Sequence, residues 1–223
     1  MASVSIHPKG IAALAALVIA GSAWAWAPDT PISDATVSFR GEHEGDRAGT
    51  AVAGVGDVNG DGYDDFAVGT PFSTQTLDGV VSGRVYLLFG GNTPWSGLSS
   101  LGDADVILDG ETEDDRFGVD IDGKGDVNGD GYDDFLVGAT HYDGPPVTWD
   151  TGAAYLVLGR SGAWPRHFDM SLADASFMGA DPGEWIGGAV SVAPDLDGDG
   201  LDDLIIAGPA SPEAAFDAGQ VYI

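Results

Sequence analysis

The chain repeats an acidic glycine-rich segment three times at one fixed step. Gly-Asp-Val-Asn-Gly-Asp-Gly-Tyr-Asp-Asp-Phe opens its acidic part at Asp57 and recurs at Asp126, and a related Asp-Leu-Asp-Gly-Asp-Gly-Leu-Asp-Asp-Leu begins at Asp195. Both intervals are 69 residues. Landmarks around the segments keep the same step: Gly41, Gly110 and Gly179 upstream, then Gly49, Gly118 and Gly187 eight residues before each first Asp. Gly69, Gly138 and Gly208 follow, the last displaced by one. A chain built this way folds as a repeat array whose units stack on one another.

Each unit reads as short strands. In the first, Thr50–Val55, Phe66–Gly69, Arg84–Phe89 and Asp105–Leu108 are rich in Val, Leu, Phe and Tyr between Gly, Asp, Ser and Pro clusters. In the second, Gly118–Ile121, Phe135–Val137, Ala153–Leu158 and Ala175–Met178 correspond. No helical periodicity is sustained beyond the N-terminal region. The expected fold is all-β: β-propeller blades of four antiparallel strands, each too thin to bury both faces alone. The step is too long for WD40 or kelch blades.

Within each segment oxygen-bearing residues stand at positions one, three, five and nine. They are Asp57, Asn59, Asp61 and Asp65; Asp126, Asn128, Asp130 and Asp134; and Asp195, Asp197, Asp199 and Asp203. The backbone carbonyls of Tyr63, Tyr132 and Leu201, at position seven, add an oxygen to each set. All-oxygen sets suit a hard cation, and Ca2+ fits a protein-rich shell better than Mg2+, which keeps its waters. We therefore expect about three Ca2+ sites, one per repeat. Gly62, Gly131 and Gly200 stand at position six, where a sharp turn favours positive φ. An EF-hand starts alike but needs a Glu at position twelve and flanking helices, and Val68, Val137 and Ile206 stand there instead. An acidic turn that binds nothing would not explain three copies in phase. Asp64, Asp133 and Asp202, at position eight, are expected at strand starts or behind the ligands.

The chain has 36 acidic and 8 basic residues, for a formal charge of −28. That charge repels nucleic acid and anionic membranes and excludes both as partners. Cysteine is absent, which excludes disulfides, thiolate metal sites and cysteine nucleophiles. Residues 1–25 read as a signal peptide: His7 and Lys9, an apolar run from Ile11 to Ala20, and Ala23-Trp24-Ala25 before the cut. The run is shorter than the ~20 residues of a spanning helix. The expected product is secreted or cell-surface, with no membrane insertion after signal removal. Extracellular calcium modules bind with Kd of about 10⁻⁴ to 10⁻³ M. At tenfold excess each site adds about 1.4 kcal/mol, so three would add about 4 kcal/mol.

These residues resemble the FG-GAP repeats of integrin alpha chains and of bacterial secreted proteins. Phe117-Gly118 matches the Phe-Gly element and Gly208-Pro209 the Gly-Ala-Pro element, with Gly69-Thr70-Pro71 and Gly138-Ala139-Thr140 as variants. Ala48-Gly49 and Ile186-Gly187 depart from it. The resemblance covers about residues 35–223 and implies a propeller, usually seven-bladed, with calcium on the loops of one face and ligand binding across several blades. The expected divisions are a linker over 26–34, repeats at 35–110 and 111–179, and a third at 180–223 that stops in mid-strand at Val221-Tyr222-Ile223. Seven blades at this step need roughly 480 residues, so the expectation is part of a larger propeller. The strand at Thr36–Phe39 is expected to close the ring by pairing with the last blade.

The expected function is adhesion or binding of a protein or glycan ligand outside the cell. The alternative is a non-catalytic accessory module of a larger secreted hydrolase or lyase. No enzyme is expected in the segment itself: His43, His141 and His167 lack a metal-ligand spacing, and no nucleophile elbow, dinucleotide fingerprint or phosphate loop occurs. Trp95, Trp149, Trp164 and Trp185 are expected to pack between blades rather than line a sugar site. Arg47 and Arg116 are expected to pair with nearby acids.

Overall fold

Short apolar runs between Gly- and Asp-rich turns give most of the fourteen strands among the residues described. The structure, a computed structural model, describes residues 31–73, 81–93, 95, 97–144, 149–211 and 218–223. The expected signal segment lies outside them. The chain divides into Met1–Ala35 and Thr36–Ile223, and all the strands belong to the second unit.

Blade 1 is formed by β2 (Ala51–Gly56), β3 (Asp65–Thr70), β4 (Arg84–Leu88) and β6 (Val106–Asp109). Blade 2 is formed by β7 (Phe117–Gly125), β8 (Asp134–Ala139), β9 (Ala153–Val157) and β11 (Ala175–Met178). Blade 3 holds β12 (Ala189–Ala193), β13 (Asp203–Gly208) and β14 (Gln220–Tyr222). Within each blade neighbouring strands are antiparallel and in sequence order. The register repeats as well: Val68 faces Tyr86, Val137 faces Tyr155 and Ile206 faces Tyr222.

Three further strands were not all foreseen. β1 (Val37–Arg40) is the expected strand at Thr36–Phe39, but β5 (Gly97–Ser100) and β10 (His167–Asp169) are additional. β5 pairs parallel with β1, with Ser38 opposite Leu98. β10 pairs parallel with β6, with Ile107 opposite His167, so repeat 2 lends a strand to blade 1. The two pairings have one register, 69 residues apart, and β1, β6 and β11 are equivalent outer strands. Among the described residues β1 pairs with β5 in a separate two-stranded sheet and not with blade 3, where ring closure by the last blade was expected.

Period-two alternation sends each strand's side chains to two interfaces. Ala67, Val85, Leu87 and Leu108 pack on Phe117, Phe135, Val137 and Tyr155 between blades 1 and 2. Leu136, Ala154 and Leu156 pack on Ile186, Val190 and Ile206 between blades 2 and 3. Val68, Tyr86, Leu88 and Ile107 face the other side of blade 1, under Leu101, Ala104 and Phe39. Close blade contact depends on small residues: a Cβ on Gly69 would lie 2.1 Å from the Gly118 carbonyl oxygen, and one on Gly138 2.0 Å from that of Gly187. The 69-residue step between these two glycine pairs thus follows from packing between consecutive blades.

Candidate metal loops

The three acidic segments are the tight connections β2–β3, β7–β8 and β12–β13. Each is nucleated by its first Asp. Asp57 Oδ1 accepts from the Gly60 and Asp61 amides at 2.7 and 3.0 Å, and its Oδ2 from Gly62 at 2.8 Å. Asp126 takes Gly129, Asp130 and Gly131 in the same way, and Asp195 takes Gly198, Asp199 and Gly200. Positions three and five continue the spiral: Asn59 Oδ1 accepts from Asp61 and Asp61 Oδ1 from Tyr63. Asn128 and Asp130, then Asp197 and Asp199, repeat these bonds. The turn requires positive φ at position six, +89° at Gly62 and Gly131 and +96° at Gly200, as its glycines foretold.

Position nine differs from the rest. Asp65 and Asp134 are buried, while positions five are exposed. Asp65 accepts from the Val58 amide within its loop and from Gly90 beyond β4, at 3.1 and 2.7 Å. Asp134 accepts from Val127 and Gly159 at 2.9 and 2.7 Å. Burial, against the relief of these amides, pushes both carboxyls up to about 6. Asp203 accepts from Leu196.

The donor set of loop three fits a cation of calcium's size. Asp195, Asp197 and Asp203 present oxygens all within 4.8 Å of one another. Two ligands across a Ca2+ at 2.3–2.6 Å lie at most about 5 Å apart, so one ion can reach all three. In loops one and two position three is Asn, which supplies a neutral oxygen at the same place. Positions five and seven are not part of the acidic cluster in loop three, and the Tyr63, Tyr132 and Leu201 carbonyls remain proposed ligands.

Sequence reasoning missed two features at these loops. The position-eight acids reach across the blade boundary: Asp133 Oδ2 accepts from the Asp57 amide at 2.7 Å, and Asp202 Oδ2 from the Asp126 amide at 2.9 Å. Asp64 instead meets Lys124 Nζ at 2.7 Å. The second feature is a buried acid in phase at Asp46, Asp115 and Glu184. Asp46 accepts from the His43 amide, Asp115 from Thr112 and Glu184 from Ala180 and Asp181, closing the turn before each blade. The 69-residue step already carried this signal, diluted among 36 acids and disguised by the change to Glu.

The expectation that the tryptophans pack between blades holds only in part: Trp164 is half-buried, while Trp95, Trp149 and Trp185 are exposed. Trp95 meets Phe39 and Phe66, and Trp164 meets Phe89 and Phe168. Trp185 stacks on His141. Arg47 lies over the Phe72 ring at 4.3 Å. Arg116 lies over the same ring and 3.9 Å from Asp114, so a stack stands where only an ion pair was expected. His43, His141 and His167 contact Asp46, Asp150 and Asp109 respectively, each in a different place. No helix among the described residues is long and apolar enough to cross a membrane.

The FG-GAP repeat family matches residues 48–88 and 186–223, spanning a first strand, an acidic loop and the strands that follow it in blades 1 and 3. This is an FG-GAP repeat protein. The FG-GAP chain is 34% identical to integrin alpha-PS2 of Drosophila melanogaster over 191 residues, 83% of this chain and 12% of the relative. It is 34% identical to mouse (Mus musculus) integrin alpha-IIb over 189 residues, 83% of this chain and 17% of that one. It is also 30% identical to a Bos taurus phosphatidylinositol-glycan-specific phospholipase D over 205 residues, 87% of this chain and 23% of the enzyme. The chain therefore spans under a quarter of the length of these relatives. Their shared region and the successive antiparallel sheets, which are not closed into a ring, make the fold a partial β-propeller.

Proposed function

We propose that this chain is an extracellular binding module whose acidic loops each hold one Ca2+, bracing a row of blades that presents a surface to a protein or glycan ligand. The carrying observation is the row itself: three loops of one hydrogen-bonded geometry, at the same connection of three consecutive blades. The ligands are Asp57, Asn59, Asp61 and Asp65 with the Tyr63 carbonyl, and their counterparts 69 and 138 residues on. A cation there neutralises carboxylates that otherwise repel one another. The similarity to integrin alpha chains supports adhesion, and the signal-like residues 1–25 support export.

Thermal melting with millimolar calcium and with chelator tests the reading. Three sites at tenfold excess supply about 4 kcal/mol. For a unit of this size that raises Tm by about 10 °C. An unchanged Tm refutes calcium bracing. The similarity to a phospholipase D favours a second reading, an accessory module attached to a secreted enzyme. The complete reading frame separates the two: a catalytic domain joined to these repeats supports the accessory module, and a frame of repeats without one supports the adhesion module.

A further inference from the structure

Consecutive loops are clasped together at three points. Asp133 Oδ2 accepts from the Asp57 amide, and the Asp133 amide donates back to the Asp57 carbonyl at 3.3 Å. Asp202 and Asp126 repeat both bonds, the second also at 3.3 Å. Position seven adds the third point. The Tyr132 ring lies over Gly60, where a Cβ would come within 2.3 Å of Cε1, and Leu201 lies over Gly129. Both hydrogen bonds of each clasp grip position one of the loop before it, the residue whose carboxylate nucleates that loop, and the side chain at position seven covers position four. Each clasp starts from the neighbour of the next loop's own position-nine ligand.

We propose that position-eight acids are positioning residues that couple neighbouring cation sites, so that each loop's affinity is set by the blade after it. The inference rests on the calcium reading above. A cation in loop two fixes Asp134 and with it Asp133, which then holds the Asp57 amide in its binding geometry. By reciprocity, a cation in loop one strengthens loop two equally. Asp64 serves as an internal contrast, because its carboxylate goes to Lys124 and not to another loop.

The test isolates loop one in the full chain by disabling the others at position five with Asp130→Ala and Asp199→Ala, then titrates calcium by calorimetry. Restoring loop two, with Asp199→Ala alone, is expected to tighten loop one severalfold, and an unchanged loop one overturns the coupling. Adding Asp133→Ala to the double variant is expected to weaken loop one about tenfold, within the range of ordinary coupling. Asp133→Asn, whose carbonyl still accepts the Asp57 amide, is expected to recover most of that loss. Asp64→Ala, although it lies inside loop one, is expected to stay within about twofold. A tenfold loss from Asp64→Ala with none from Asp133→Ala overturns the coupling. Equal losses from Asp133→Ala and Asp133→Asn also overturn it, because the effect would then be charge alone. Absence of calcium uptake by the unaltered chain defeats the calcium reading itself, and the coupling with it. Amide exchange on the unaltered chain in chelator gives a check that needs no variant. Asp57 and Asp126 amides are expected to exchange at least tenfold more slowly than the Asp195 amide, and equal rates contradict the clasp.

Discussion

At Gly138 the requirement for a missing side chain is severe, since a Cβ there would stand 2.0 Å from the Gly187 carbonyl. Gly138→Ala must push blade 3 away from blade 2 and is expected to cost about 1–3 kcal/mol in a denaturant melt. Gly54→Ala, in a strand with nothing within 4 Å of the added carbon, is expected to change stability by less than about 0.5 kcal/mol. Equal effects would show that blade contact does not depend on the Gly138–Gly187 approach. Charge count separates the loops too. Loop three carries Asp197 where the others carry Asn59 and Asn128, so Asn128→Asp is expected to tighten loop two severalfold in a calcium titration. The ligand ladder was legible because oxygen donors alternate along one short stretch. The stacking of Arg47 on Phe72 was not, because residues 25 apart meet only after the blade has folded.

Strands that are short continuous apolar runs bounded by acidic turns, such as β3 and β8, could be read directly, and their expected bounds fall within about two residues of those observed. β5 and β10 could not. Gly97-Leu98-Ser99-Ser100 and His167-Phe168-Asp169 hold one large apolar residue each, and only the neighbouring outer strand gives them a partner. At this scale the buried acids tie elements together, Asp65 and Asp134 joining each loop to the end of the third strand of its blade. They also set a pH dependence. Burial raises Asp65, Asp115 and Asp134 to about 6, above the ordinary value of 3.8. Between those values the folded chain holds protons that the unfolded chain has released, so stability grows as pH falls. In chelator, Tm is expected to be higher at pH 5 than at pH 8, with the gain lost as pH rises through about 6. A flat or opposite profile in a scanning melt contradicts this assignment.

Across the molecule, the blades add in one direction and the third carries two exceptions. Gly56 and Gly125, beside which Asp133 and Asp202 clasp, become Pro194, and Gly69 and Gly138 become Ala207. The hairpin of blade 3 also lacks the register shift that precedes loops one and two. A blade placed on blade 3 as blade 3 sits on blade 2 would meet both side chains. Appending residues 157–179, which complete blade 3 in phase after Ile223, and then a copy of 111–179 is therefore expected to stabilise the chain fully only together with Pro194→Gly and Ala207→Gly, as read by Tm. These exceptions are visible in the sequence, yet their meaning depends on the blade interface and not on any local pattern. The proposed bracing of the blades depends on cations in the loops, and calorimetric titration of the metal-free chain with calcium measures that most directly. It predicts about three ions per chain, lost one at a time with Asp61→Ala, Asp130→Ala and Asp199→Ala. A chain that takes up no calcium, or keeps its full complement in those variants, contradicts it.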